Sequence, residues 1–199
     1  VSQIGVGAFE NCPSLESLQV AEENETYHSS DNCIIQTESK TLVAGCKASQ
    51  IPADGSVIDI GESAFAGCQG LTQLEIPQTI AGIGSNAFAG CENLETVTFK
   101  GNAPQLAENA FADVEAKVQY PAENDTWTED VQKDYEGTLA WEAVDFIPAN
   151  AVMLPSETFA EYDTVWIEGL PYAIQGQGDE RYVVPPAQEE FYMVTYTYH

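Results

Sequence analysis

Positive charge is what this chain most lacks. Six lysines and arginines stand against 32 aspartates and glutamates, for a formal net charge of −26. The six (Lys40, Lys47, Lys100, Lys117, Lys133 and Arg181) are scattered, with no two adjacent. Binding to nucleic acid or to an anionic membrane draws on clustered cations, so neither partner is expected. Histidine is almost as scarce, at two residues, and no Cys-x-x-Cys pair occurs, which removes the common zinc arrangements. No apolar run approaches the roughly 18 residues of a membrane-spanning helix, and membrane insertion of this segment is not expected. A phosphate-cradling glycine loop and a metalloprotease helix motif are also missing. These residue types lead us to expect no metal, no cofactor and no enzyme.

What the chain does have is repetition. Its 199 residues, 44% of them hydrophobic, suffice for a sizeable core in one domain or two. Ile60, Phe65, Cys68, Leu71, Leu74 and Ile76 recur as Ile83, Phe88, Cys91, Leu94, Val97 and Phe99, each displaced by 23. An earlier copy, Ile4, Phe9, Cys12, Leu15, Leu18 and Val20, precedes the first set by 56. A weaker one keeps Leu106, Ala110 and Phe111 on the 23-residue period, then reaches Val118 and Tyr120 two residues early. The stretch from Asn24 to Pro52 ends in the same Ile-Pro as the second copy and reads as a fifth, divergent unit.

Each unit has a physical reading. Leu74 and Ile76 alternate with Gln73 and Glu75, as in a short strand with one buried face. Ser85 or Asn86 then offers a cap and Gly90 a stop for one short helical turn around Phe88. Phe9, Phe65, Phe88 and Phe111 are expected to stack as an aromatic spine, and Cys12, Cys68 and Cys91 as a buried ladder of small side chains. A single coil cannot bury its apolar face alone, so the units must cover one another.

The string Ile-Gly-x-x-Ala-Phe-x-x-Cys-x-x-Leu-x-x-Leu-x-Ile-Pro resembles the BspA-like class of leucine-rich repeat over about residues 1–120. The stretch Asp31 to Cys46 resembles the longer, insert-bearing unit of such arrays. That resemblance implies a bacterial protein that is extracellular or displayed on the cell surface, some members being adhesins for host matrix proteins or for other bacteria. The expected fold is mainly β with short helical turns: a leucine-rich-repeat solenoid of about five coils on a 23-residue period, followed by a small all-β module.

The expected boundaries are a solenoid over 1–145, its last part (121–145) serving as a cap, and a β module over 146–199. Trp127, Tyr135 and Trp141, with a short helical pattern from Asp130 to Tyr135, suit a cover for the open end of the last coil. In the module, the stretch from Asp163 to Gln175 suggests a strand, a turn at Glu168 and Gly169, and a second strand with Pro171 near its start, and Tyr192, Val194, Tyr196 and Tyr198 share one face of a final strand. The chain opens at a repeat boundary and stops within that strand pattern. It therefore reads as part of a longer polypeptide, with any signal or anchor outside it and the module itself truncated.

Other constellations have plainer readings. Cys33 and Cys46 flank a hairpin at a spacing that permits a disulfide. His28, Ser29, Ser30, Asp31 and Cys33 include a nucleophile and a base by type, yet a polar loop accounts for all of them. The acids from Glu123 to Glu136 lack the ligand order of a calcium loop and read as solvated surface. The candidate binding strip is the exposed side of the strands: Ser17, Gln19, Gln73, Glu75, Thr96, Thr98, Lys117 and Gln119. The partner expected there is a protein or a glycan, host extracellular matrix among them. The alternatives are a spacer stalk and the targeting segment of a larger secreted enzyme.

Overall fold

The computed structural model describes residues 1–146, 152–153, 164–167, 170–175, 182–184 and 196–197. The chain divides into two compact units, Val1–Val144 and Asp145–His199. The first holds ten strands: β1 (Tyr27–Ser30), β2 (Cys33–Gln36), β3 (Thr41–Ala44), β4 (Asp59–Ile60), β5 (Gln73–Ile76), β6 (Gly82–Ile83), β7 (Thr96–Phe99), β8 (Gln105–Leu106), β9 (Glu115–Pro121) and β10 (Thr138–Val144). They form two sheets. One runs β1-β2-β3-β4-β6-β8 and the other β5-β7-β9-β10. From β3 onward the first is parallel, and the second is parallel throughout. Asp59 pairs with Gly82 and Gly82 with Gln105, while Gln73 pairs with Thr96 and Glu115 with Thr138. The 23-residue period of the sequence is thus the stacking register of a solenoid.

A third side closes each coil, and here the sequence reading needs correction. Among the described residues no helix forms. Between Gly61 and Cys68 the amides alternate instead. Ala64, Ala66 and Cys68 donate back three residues, to Gly61, Ser63 and Phe65, whereas Ser63, Phe65 and Gly67 donate across to Ser85, Ala87 and Ala89 of the next coil. A helix would send every amide back along its own chain, so the alternation rules it out. The backbone bends that permit it recur. Asn11, Gly67, Gly90, Asp113 and Glu136 hold φ between 54° and 68°, each one period or insert after the last. Glycine, asparagine and aspartate are the residues that tolerate this left-handed region, and four of the five sites carry one. Asn86, expected as a helix cap, is itself left-handed at φ 54°.

The main core lies between these sides. Phe65, Phe88 and Phe111 are buried and stacked, with ring centroids 5.4 Å and 5.1 Å apart. Burial of each ring contributes about 1.5–3 kcal/mol, and each stacked pair about 0.5–1.5 more. Phe9 is not in this stack: it packs at the margin of a separate cluster of Leu18, Tyr27, Ile34, Ala44 and Cys46. The reason is the divergent unit. Gly45 donates its amide to Ala64 O at 2.8 Å, and its Cα lies against Phe65 so closely that an added Cβ would sit 2.0 Å from the ring. Backbone, not a fourth ring, covers Phe65.

The cysteine ladder is broken in the same place. Cys68 and Cys91 are buried in the main core, and the Cys91 thiol donates to Phe65 O at 3.1 Å, whereas Cys12 is exposed. Cys33 and Cys46 are free thiols in different apolar clusters, so the disulfide that their spacing permitted is not formed.

The stretch expected as a cap continues the stack. β10 pairs with β9 over seven residues at a displacement of 23. Trp127 is buried against Phe99 and Tyr120, at centroid distances of 4.7 Å and 5.4 Å, and Trp141 and Tyr135 pack beside the same core. In place of the expected helical pattern at 130–135 there is a turn at 129–131 and a second at left-handed Tyr135 and Glu136.

In the second unit, β11 (Val152–Met153) pairs antiparallel with β14 (Tyr182–Val183). β12 (Thr164–Ile167) lies antiparallel between β13 (Leu170–Ala173) and β15 (Tyr196–Thr197). Of the tyrosine row, Tyr192, Val194 and Tyr198 lie outside the described residues, as do Glu168, Gly169 and Arg181.

Candidate binding face

Alternation along β5, β7, β9 and β10 turns one set of side chains into the core and the other outward. The inward set is Leu74 and Ile76, Val97 and Phe99, Ala116 and Val118, then Leu139. The outward set forms two rows across the sheet. Gln73, Thr96, Lys117 and Ala140 make one, and Glu75, Thr98, Gln119 and Glu142 the other. Six of the eight strip residues named from sequence therefore meet on one face.

Ser17 and Gln19 do not join them. They are exposed but belong to no strand, and the divergent unit lies at this point of the chain. Lys47 forms an ion pair with Glu16 at 2.7 Å, and its side chain abuts Gly70, so residues of the insert stand between the first copy and the second. Gln19 instead borders a separate groove beside His28.

The face is cross-linked by its own polar groups. Thr98 Oγ1 donates to Gln119 Oε1 at 3.3 Å, and Gln119 Nε2 donates to Glu142 Oε2 at 3.2 Å. Lys117 forms an ion pair with Glu142, and Lys100 pairs with Glu75 at 3.3 Å. The Lys117 ammonium, and then the Gln119 amide, hold the Glu142 carboxyl below its usual value. Thr98 is buried, at 9% exposure, so the centre of the face offers a short side chain rather than a projecting one.

Toward the start of these strands the face deepens into a groove of about 470 Å³, lined by Glu92, Glu95, Glu115, Lys117, Leu139 and their neighbours. Sequence reasoning missed this groove, along with Ala140 and Glu142. A displacement of 23 from Lys117 and Gln119 points to both of the latter. Trp141, read as part of a cap, obscured the match.

Of the residues that combine a nucleophile and a base by type, Ser30 Oγ donates to Asp31 Oδ2 at 3.1 Å, while the others have partners outside the set. His28 Nδ1 pairs with Thr37 Oγ1 at 2.9 Å, Ser29 Oγ accepts from Val20 N, and the Cys33 thiol donates to Gln50 O at 3.4 Å. Burial pushes the Cys33 thiol up to about 12, so it is protonated at neutral pH. Among the described residues no three His, Cys, Asp or Glu side chains group as a metal site. No helix among them is long and apolar enough to cross a membrane.

Parallel stacking at a fixed register, with an inward apolar and an outward polar set repeated coil by coil, defines a β-solenoid repeat protein. Residues 36–124 match the BspA type leucine rich repeat region in six copies. No curated protein matches the chain. Among solved structures it is similar to a leucine rich cell surface protein from Faecalibacterium prausnitzii A2-165, at 20% identity and a TM-score of 0.44, covering 72% of this chain and 46% of that one. A leucine-rich repeat protein from Eubacterium ventriosum ATCC 27560 matches at 17% identity and a TM-score of 0.38, covering 71% and 45%. The pneumococcal vaccine antigen PcpA matches at 14% identity and a TM-score of 0.28, covering 64% and 50%. The chain thus spans about half the length of the solved chains it matches.

Proposed function

We propose that this solenoid is a non-catalytic binding segment of a bacterial protein that acts outside the cell or on its surface, and that it presents the two outward rows of β5, β7, β9 and β10 to a protein or glycan. The observation that carries the reading is the register. Eight outward positions from four separate coils are aligned on one extended, polar face, a surface that a solenoid offers at no cost to its core. The match to the BspA-type repeat family supports placement outside the cell.

The test is an array of host matrix proteins and glycans probed with the 199-residue chain and with its Glu75→Lys and Lys117→Glu variants. Binding that both variants lose supports the face. Binding that neither variant disturbs removes it.

A second reading has its own observation. The ion pairs and amide bridges that cross-link the face satisfy it internally, as suits a spacer stalk. An array that stays silent with the unaltered chain favours that reading.

A further inference from the structure

We infer that the first coil, residues 1–23, is a detachable cover: it opens as a unit from the antiparallel strands β1, β2 and β3 while the coils behind them stay folded, and in closing it hides an apolar face. Three observations converge. The first is that these strands stand between two cores. Cys33, Ile35 and Leu42 belong to the main core, whereas Tyr27, Ile34, Ala44 and Cys46 join Leu18 in the satellite cluster. The two clusters share no residue, so the main core does not depend on the first coil. Within residues 1–23 only Leu18 is buried. Ile4, Phe9, Leu15 and Val20 are partly buried, and Val1 and Val6 are 86% and 67% exposed.

The second is the joint. Between regular coils Ser63, Phe65 and Gly67 donate to Ser85, Ala87 and Ala89, and strands pair on the other two sides. Their equivalents in the first coil are Gly7, Phe9 and Asn11, and of these only Asn11 N reaches across, to Ala66 O at 3.2 Å. Ala64 O, the acceptor that the register assigns to Phe9, is already held by Gly45 N at 2.8 Å. Residues 1–23 form no strand, so neither ladder is continued into them.

The third is the nature of the other ties. Ile4 N donates to the Tyr27 hydroxyl at 3.1 Å, Val20 N to Ser29 Oγ at 3.0 Å and Asn24 Nδ2 to Val1 O at 2.8 Å, and Glu16 pairs with Lys47 at 2.7 Å. All four are half-buried or exposed, where water competes for the same groups and each contributes little. The exposed turn at Glu22 and Glu23 is the hinge. Beyond it Asn24 Oδ1 accepts from Thr26 N and Tyr27 N at 3.0 Å and 2.9 Å, which keeps the start of β1 in place when the cover lifts. Opening bares Tyr27, Ile34 and Ala44, while β3 stays paired with β4.

The experiment follows hydrogen exchange amide by amide, by NMR, in the full 199-residue chain. The amides of Ile4, Asn11 and Val20 report the joint, those of Thr37 and Gly45 the strands beneath it, and those of Phe65, Phe88 and Gly90 the regular stack. The first set should exchange more slowly than a free peptide yet about a hundredfold faster than the stack, with Thr37 and Gly45 siding with the stack. Leu18→Ala, which truncates the buried side chain of the cover, should speed the first set by about tenfold or more and leave Gly45 and Phe88 unchanged. Equal protection throughout, or a variant that speeds Phe88 as much as Asn11, would mean one cooperative unit and overturn the inference. Exchange of Thr37 and Gly45 together with Asn11 would overturn it too, since the strands would then open with the coil. So would exchange of the first set at the free-peptide rate in the unaltered chain, because nothing would be docked to open.

Discussion

The regular coils from Val57 to Val144 and the first 56 residues are written in the same vocabulary and pack differently. In the regular coils each apolar position finds its equivalent in the next coil, so Phe65, Phe88 and Phe111 form one continuous stack. In the first 56 residues the equivalent side chains meet an insert: Phe9 is half-buried, Cys12 is exposed, and a small satellite cluster takes the place of the main core. A repeat unit is therefore defined by its neighbours as much as by its residues. The same letters give a buried ring where the next coil is regular and a marginal one where it is not.

The sharpest way to break that comparison is to truncate the rings. Phe88→Ala, in the middle of the stack, should cost about 3–5 kcal/mol in urea unfolding, whereas Phe9→Ala should cost well under half as much. Equal losses would mean that the two regions share one core after all. Next comes the wedge. Gly45→Val drives a side chain into Phe65 and should cost about 1–3 kcal/mol, with unfolding spread over both regions because Gly45 joins them.

The thiols sharpen the contrast chemically. In the native protein Cys12 should be alkylated readily at neutral pH, and Cys33, Cys46, Cys68 and Cys91 only on unfolding, as intact-mass analysis would show. Burial pushes the Cys91 and Cys33 thiols from 9.0 up to about 12. The folded chain thus favours their neutral form, a stabilisation fully present below about pH 9 and lost as pH rises toward 12. Stability should fall by about 1.4 kcal/mol per pH unit for each thiol across that window, and Cys91→Ala should remove its share of the slope. The smallest effect belongs to the outer face. Lys117→Gln should leave the melting temperature almost unchanged while the Glu142 carboxyl rises part of the way toward its usual value by NMR titration, the Gln119 amide still holding it down, since the pair is half-exposed. A large loss of stability would make the face structural rather than available.

Much of this architecture is legible in the sequence because it depends on spacing. The 23-residue displacement of Phe65 to Phe88 and of Leu74 to Val97 carries the stacking register, and alternation along Gln73 to Ile76 shows which side chains face out. Six of the strip residues follow from those two patterns alone. The rest depends on geometry that no periodicity encodes. The bend at Gly90 looks like a helix stop until the amides of Phe88 and Gly90 are seen to cross to the next coil. Gly45 is one glycine among 15, and nothing in its neighbours says that it will lie on Phe65 and exclude Phe9. Likewise, Trp141 in place of Val118 hides the fact that β10 is one more turn of the stack. Glu92, Glu95 and Glu115 look like any other surface acids until the sheet brings them to one groove.

The alternating amides have a consequence for how such a molecule can change its length. Because each turn answers only to the one before and the one after, residues 73–95 form a cassette whose two cut ends present the same register. Duplicating it would lengthen the sheet by one strand spacing, about 4.8 Å, and deleting it would shorten the sheet by as much, with no other bond asked to move. The regular coils behave as a ruler graduated in single turns, and the insert beside Gly45 interrupts the scale.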